Sequence, residues 1–364
     1  MKSDLERFNG LVSTLGLQRK AYKILKRFNT LFLDDKLIKL NFSGLNINKL
    51  PDIIYNFIHL RKLDLRNNQI KIIDNEIRNL KNLTYLNLQS NFLKEIPETL
   101  FELRQLKYLD IGRNFIENIP NEIKKLENLQ ELNLIHNRLL FLPKGITFLK
   151  NLKRLSLRSN RLLEGPKNIG NLRKLNYINL QDNHLEKLPN GFSNLVNLTR
   201  LDLRSNRLRS LPDRIGRLKK LERLELSMNK LTKLPSSIGN LSNLRELGLY
   251  HNHLKALPES FRDLKDLEIL DLQYNNLTSF PKEFMNLGKL DELKLNQNNI
   301  TQLPDDFETL GKLRFLNISN NSIKKLPKSL LKLTNLQTLN ICNNNKLKVG
   351  INLQKLPNLK RVKK

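Results

Sequence analysis

Leucines dominate the pattern of apolar and polar positions, and the spacing between them changes in a fixed order. One stretch reads Leu198-Thr-Arg-Leu201-Asp-Leu203-Arg-Ser-Asn206-Arg-Leu208-Arg-Ser-Leu211-Pro212-Asp-Arg-Ile215-Gly-Arg-Leu218. Leu201 and Leu203 alternate with polar residues, the period-two signature of a strand with one buried face. The two leucines point inward, and Arg200, Asp202 and Arg204 point out. Past Asn206 the chain must turn, and Pro212 has no N–H to give to a ladder. Ile215 and Leu218 are then three apart, which predicts a short 3-10 or helical turn. One period is therefore a strand, a turn and a tight helical return.

The period repeats without insertion. Asparagines recur every 23 residues at Asn68, Asn91, Asn114, Asn137, Asn160, Asn183, Asn206, Asn229, Asn252, Asn275, Asn298, Asn321 and Asn344. Leu45 holds the same phase one repeat earlier, and all prolines but Pro357 share a second phase from Pro51 to Pro327, broken only at Asp74. A single unit of this size cannot bury its own apolar face, whereas a stack buries one continuous core. About seven apolar positions per repeat become interior. The asparagines read as structural. A chain that turns inward buries backbone groups, at about 1–3 kcal/mol for each left unpaired. An amide side chain both donates and accepts, so a column of asparagines can bond to adjacent turns.

The consensus LxxLxLxxNxLxxLPxxIxxLxx resembles the leucine-rich-repeat family, and its LPxxI return is similar to the 23-residue repeats of bacterial, including spirochaetal, proteins and of Ras-binding scaffold and plant relatives. The resemblance covers residues 37–362. It departs from the pattern at Leu45, at Asp74, at Gly165 in place of the leucine before Pro166, and at Lys346. It implies an α/β solenoid: a curved leucine-rich-repeat horseshoe with a parallel concave β-sheet, short 3-10 or helical convex segments, and protein binding as the usual role. The expected organisation is an N-terminal helical cap over 1–36, a solenoid of 14 repeats over 37–358, and a partial last strand with a basic tail over 359–364. Atypical terminal repeats are expected to act as caps.

Residues 3–33 read as helix. Ser3 and Glu6 have the spacing of a capping box. Leu5, Phe8, Val12 and Leu15 share one face, and after a break near Gly16, Tyr22, Leu25 and Phe28 share another. Arg19, Lys20, Lys23, Lys26 and Arg27 form the solvated side of this cap, the alternative being a membrane or partner helix. At the other end Leu359 and Val362 begin a fifteenth strand.

Composition narrows the chemistry. With Cys342 as the single cysteine, no internal disulfide can form and a reducing compartment suits the chain. The acidic start lacks the apolar core of a signal peptide, and no apolar run approaches the roughly 18 residues of a membrane span. The default expectation is a cytoplasmic protein, and secretion as an effector or surface protein by a dedicated machine is the other option. The five histidines fall in no metal-ligand spacing, and no GxGxxG or phosphate-loop motif occurs. No metal, cofactor or catalytic residue is expected, and the chain reads as no enzyme. Its net charge of +29 is spread mainly over the repeats. Such a field steers acidic partners. It leaves open an acidic polymer or membrane surface as an alternative ligand. Nucleic acid fits poorly, because Asp64, Asp110, Asp202, Glu225 and Asp271 line the outward strand positions and no aromatic platform alternates with the basic residues.

The outward strand positions are not uniform. Arg154, Arg158, Arg200, Arg204 and Arg223 gather around Tyr177, and Tyr250, His251 and Tyr274 follow. Arginine and tyrosine are enriched at binding hot spots. These nine residues are the candidate ligand-binding set, for a protein partner with an acidic surface. The competing reading pairs the arginines with Asp202 and Glu225 in an exposed charge lattice.

Overall fold

A computed structural model describes residues 3–15 and 30–364. The chain divides into two compact units, Met1–Asn179 and Leu180–Lys364.

The first unit opens with helix α1, Asp4–Thr14. Both halves of the capping box form: Glu6 N–H donates to Ser3 Oγ at 3.2 Å, and Ser3 N–H to Glu6 Oε2 at 2.9 Å. The helical reading of 3–33 needs two corrections. The buried residues of α1 are Asp4, Phe8, Leu11 and Val12, whereas Leu5 is exposed. Asp4 holds the inward slot because its carboxylate accepts the N–H of Leu37 at 2.9 Å and pairs with Arg7 at 3.2 Å. Second, Leu31–Leu33 is a strand, β1, which turns at Asp34 and Asp35 and pairs antiparallel with β2, Lys36–Asn41. The ring of Phe32 meets Phe8 edge-on at 5.6 Å, so helix and hairpin share apolar surface. The face expected from Tyr22, Leu25 and Phe28, and the basic cluster from Arg19 to Arg27, lie outside the described residues.

Within each unit, from β2 onward, every strand is parallel to the one before it. The first unit continues with β3 Lys62–Asp64, β4 Tyr85–Asn87, β5 Tyr108–Asp110, β6 Glu131–Asn133, β7 Arg154–Ser156 and β8 Tyr177–Asn179. The second holds β9 Arg200–Asp202, β10 Arg223–Glu225, β11 Glu246–Gly248, β12 Ile269–Asp271, β13 Glu292–Lys294, β14 Phe315–Asn317, β15 Thr338–Asn340 and β16 Arg361–Lys363. Within each unit the register is one repeat per strand, as in Lys39 opposite Lys62 and Arg223 opposite Glu246. Residues 23 apart are therefore neighbours across the sheet, about 4.8 Å apart. In the repeat quoted above, Leu198, Leu201, Leu203, Leu208, Leu211, Ile215 and Leu218 are all buried. Each gains about 1.5–3 kcal/mol on leaving water. The return is a 3-10 turn, Ile215–Arg217 in this repeat.

Within each unit the asparagine of a turn bonds to its own repeat and to the one before it. Asn114 accepts the N–H of Leu93 on Oδ1 at 3.0 Å, and its Nδ2 donates to the carbonyls of Leu88 at 3.0 Å and Ile111 at 3.1 Å. Asn252 does the same to Leu231, Leu226 and Leu249. The residue before each of these asparagines is left-handed. Asn67, Ser90, Arg113, His136, Ser159, Asp182, Ser205, Met228, His251, Tyr274, Gln297, Asn320 and Asn343 lie between +50 and +58, and Gly44, before Leu45 in the same phase, has φ +70. For L-residues this conformation costs roughly 1–2 kcal/mol. The buried hydrogen bonds of the turn hold it in place.

A second asparagine column lies on the exposed side of the returns. Asn82, Asn128 and Asn151 donate to the carbonyls of Ile58, Arg104 and Glu127, 24 residues back, at 2.8–2.9 Å. Asn243 and Asn335 repeat the bond in the second unit at 2.7 Å. At Asp74, the break in the proline phase, the backbone keeps the extended geometry of its proline counterparts, with φ −70 against −65 at Pro51. Asp74 accepts a hydrogen bond from Tyr55 Oη at 3.2 Å.

Candidate binding face of the strands

Three-residue strands leave two outward side chains each, so the exposed face is built from rows of residues one repeat apart. In the first unit Tyr85 and Tyr108 occupy neighbouring places in one row, and their rings stack at 4.4 Å with 5° between planes. Tyr108 Oη donates to Asp110 Oδ2 at 3.2 Å. The same carboxylate accepts from Asn133 Nδ2 and Gly112 N–H, each at 2.9 Å. Burial raises the Asp110 carboxyl above the usual aspartate range, and these three hydrogen bonds oppose the rise. Burial also raises the Tyr108 phenol, helped by the Asp110 charge.

Further along the same unit, the Arg154 guanidinium lies over the Tyr177 ring, 4.4 Å from its centroid. Tyr177 Oη accepts from Asn179 Nδ2 at 3.2 Å. Arg158 is exposed four residues beyond Arg154. Among the described residues no carboxylate lies within ion-pair range of Arg154 or Arg158.

In the second unit the arginines differ in their partners. Arg204 grips Asp202 with two parallel bonds, Nε to Oδ1 at 3.0 Å and Nη2 to Oδ2 at 2.6 Å. Arg223 pairs with Glu225 at 3.0 Å along its strand and with Glu246 across to the next at 2.9 Å. Glu225 is pushed up from the usual glutamate range by burial, against the pull of Arg223 and Arg204. Space for its carboxylate comes from Gly248, where an added Cβ would stand 2.2 Å from Glu225 Oε2. Arg200 is exposed and, among the described residues, has no carboxylate partner. Tyr250, His251 and Tyr274 form one aromatic cluster: Tyr250 meets Tyr274 edge-on at 5.4 Å, and His251 stacks with Tyr274 at 6.2 Å. His251 and Tyr274 occupy left-handed positions, as does exposed Met228 one repeat earlier.

These contacts sort the nine candidates. Arg154 and Tyr177 are together, as are Tyr250, His251 and Tyr274. Arg204 and Arg223 are engaged by carboxylates of their own unit, whereas Arg158 and Arg200 are not. The stacked pair Tyr85 and Tyr108 was missed by sequence reasoning, although a spacing of one repeat between two tyrosines was the signal that could have found it.

Comparison with known proteins agrees with the repeat. A family model described as a leucine-rich repeat region matches residues 39–162 and 163–252, and one described as a leucine-rich repeat matches 255–300 and 281–323. The chain belongs to the leucine-rich-repeat family. Both descriptions name the repeat and no catalytic activity. A search of curated proteins finds no match. Among solved structures, a leucine-rich-repeat protein of Leptospira interrogans is 34% identical to this chain. That match covers 88% of this chain and 94% of the other, with a TM-score of 0.72. The Arabidopsis receptor kinase HAESA, solved with the peptide hormone IDA and the co-receptor SERK1, is 27% identical over 100% of this chain and 65% of its own, with a TM-score of 0.78. An internalin of Listeria monocytogenes, 21% identical over 99% of this chain and 94% of its own, shares the fold at a TM-score of 0.69. This leucine-rich-repeat protein is thus of the bacterial type, in a fold that serves as a protein-interaction module. No helix among its described residues is long and apolar enough to cross a membrane.

Proposed function

We propose that this leucine-rich-repeat protein is a non-catalytic binding module that takes a protein ligand with an acidic surface on the exposed side of its strands. The observation that carries the reading is the state of the arginines. Among the described residues Arg158 and Arg200 stand exposed without a carboxylate partner, and Arg154 lies over the Tyr177 ring. A guanidinium free of an internal partner can take a carboxylate in two parallel bonds. Arg204 and Arg223 would have to exchange an existing partner and contribute less. HAESA, in the same fold, is seen with a peptide hormone, which supports a peptide or protein ligand. A polyanion suits the strand face less well, since Asp64, Asp110, Asp202, Glu225 and Asp271 lie on it. The role we propose is that of a bacterial surface or secreted protein acting on a host.

The test is affinity capture with the full chain, identification of the partner by mass spectrometry, and then Arg158→Glu and Arg200→Glu made separately. Each is expected to weaken capture while circular dichroism stays native. Undiminished capture by both variants would place the site elsewhere.

A further inference from the structure

Two successive repeats of the first unit break the polar pattern at the same place. Leu140, Phe141, Phe148 and Leu163 are 45–53% exposed. In neighbouring repeats the Leu140 position, which Leu163 shares, is Lys94, Glu117, Glu186 or Arg209, and the Phe148 position is Glu102, Lys125, Asn171 or Asn194. The opposite change occurs at Gly165. Leu188 and Leu211 fill that inward position in later repeats and are buried. At this position lies a pocket of about 370 Å³ lined by Phe141, Leu142, Gly165 and Pro166, with Lys144 and Lys167 on it. Its size lies within the range of ligand clefts. None of its lining residues is in a strand.

Charge says what would occupy it. The position of Lys144 and Lys167 is Asp52, Asn75, Glu98 and Asn121 in the four preceding repeats. It turns basic where the pocket opens. Both lysines are exposed, and among the described residues neither has an ion-pair partner. Glu164, the one acid lining the pocket, leaves the rim net positive. Scattered exposed apolar residues need no explanation. Phe141 lines the cleft itself, and Leu140, Phe148 and Leu163 are exposed in the same two repeats, so apolar surface gathers there that a partner would remove from water.

We propose that this pocket is a second docking site, apart from the strand face, for a protein segment that inserts an aromatic or branched apolar side chain between flanking carboxylates. Gly165 and Leu142 receive the anchor, and Lys144 and Lys167 receive the acids.

The geometry provides its own control. Gly165 is not among the left-handed residues, so Gly165→Leu restores the repeat and fills the pocket in a chain expected to fold at least as well. The probe is a random dodecapeptide library displayed on phage and panned against the full chain. Expected are peptides with an apolar residue next to Asp or Glu that bind Gly165→Leu on the order of tenfold more weakly, the scale of losing one buried anchor. A second variant, Lys144→Glu with Lys167→Glu, leaves the pocket open and should also lose them. Arg158→Glu should keep them, which separates this site from the strand-face reading. No enrichment, neutral or basic peptides, or peptides that bind both variants as well as the parent would overturn the proposal.

Discussion

At the scale of single residues, this protein spends its polar side chains on backbone atoms. Asn114 Oδ1 is the acceptor for the buried N–H of Leu93. Its loss leaves that donor unsatisfied, at about 1–3 kcal/mol. Asn114→Ala is therefore expected to lower the unfolding free energy measured in urea by that much or more, since two carbonyls also lose their donor. Asn128→Ala, which removes a bond to Arg104 on the exposed side, should cost less than about 1 kcal/mol because water replaces the donor. Equal losses would mean that burial does not set the value of these amides. Asp110 yields a prediction in pH. Its folded-state carboxyl titrates above the ordinary aspartate value because of burial. In the window between the two values the folded chain holds a proton that the unfolded chain has lost, so stability falls as pH rises. Measured against Asp110→Asn, the parent should gain stability as pH falls through that window and show a constant difference above it. A difference that runs the other way would mean that the hydrogen bonds from Gly112, Asn133 and Tyr108 outweigh burial.

At the scale of the element, the turn was only half legible. The asparagine column stands out because one residue type keeps one phase. The left-handed residue before it is invisible, because glycine, serine, aspartate, arginine, histidine, methionine and tyrosine all occupy it. Tertiary hydrogen bonds impose that backbone, and local preference does not. Strain then remains wherever the occupant is bulky. Met228 is half exposed at φ +58, and Met228→Asn is expected to raise stability by up to about 1 kcal/mol in equilibrium denaturation. A loss would show that the Met228 side chain holds the turn. The hairpin β1–β2 escaped the sequence for a related reason. β1 precedes the repeat, and its three residues carry no alternation long enough to read. The arginines were located correctly as outward, but which of them face a carboxylate depends on rotamers, and spacing alone does not carry that information. Gly165 was legible as a missing leucine, while the pocket beside it is set by the packing of Phe141, Leu142 and Pro166, which spacing does not show.

At the scale of the whole molecule, the consequence of repetition is that long-range order comes from short-range contacts. In a solenoid each repeat touches only its neighbours, so stability is close to a sum of repeat and interface terms. Leu293 is fully buried in β13, and its strand pairs with β12 and β14 alone. Leu293→Ala should cost about 2–5 kcal/mol, the transfer term plus the cavity left behind. In a globular core such damage lowers protection against hydrogen exchange throughout. Here native-state exchange should accelerate most in the repeats carrying β12, β13 and β14 and fade toward β9 and β16. The asparagines sharpen the expectation. Asn298 bonds to Leu272, Leu277 and Leu295, and Asn321 to Leu295, Ile300 and Ile318, so each amide ties only adjacent turns. Uniform acceleration across 180–364 would mean that the unit opens all at once, and that coupling between repeats exceeds what nearest-neighbour packing and hydrogen bonding supply.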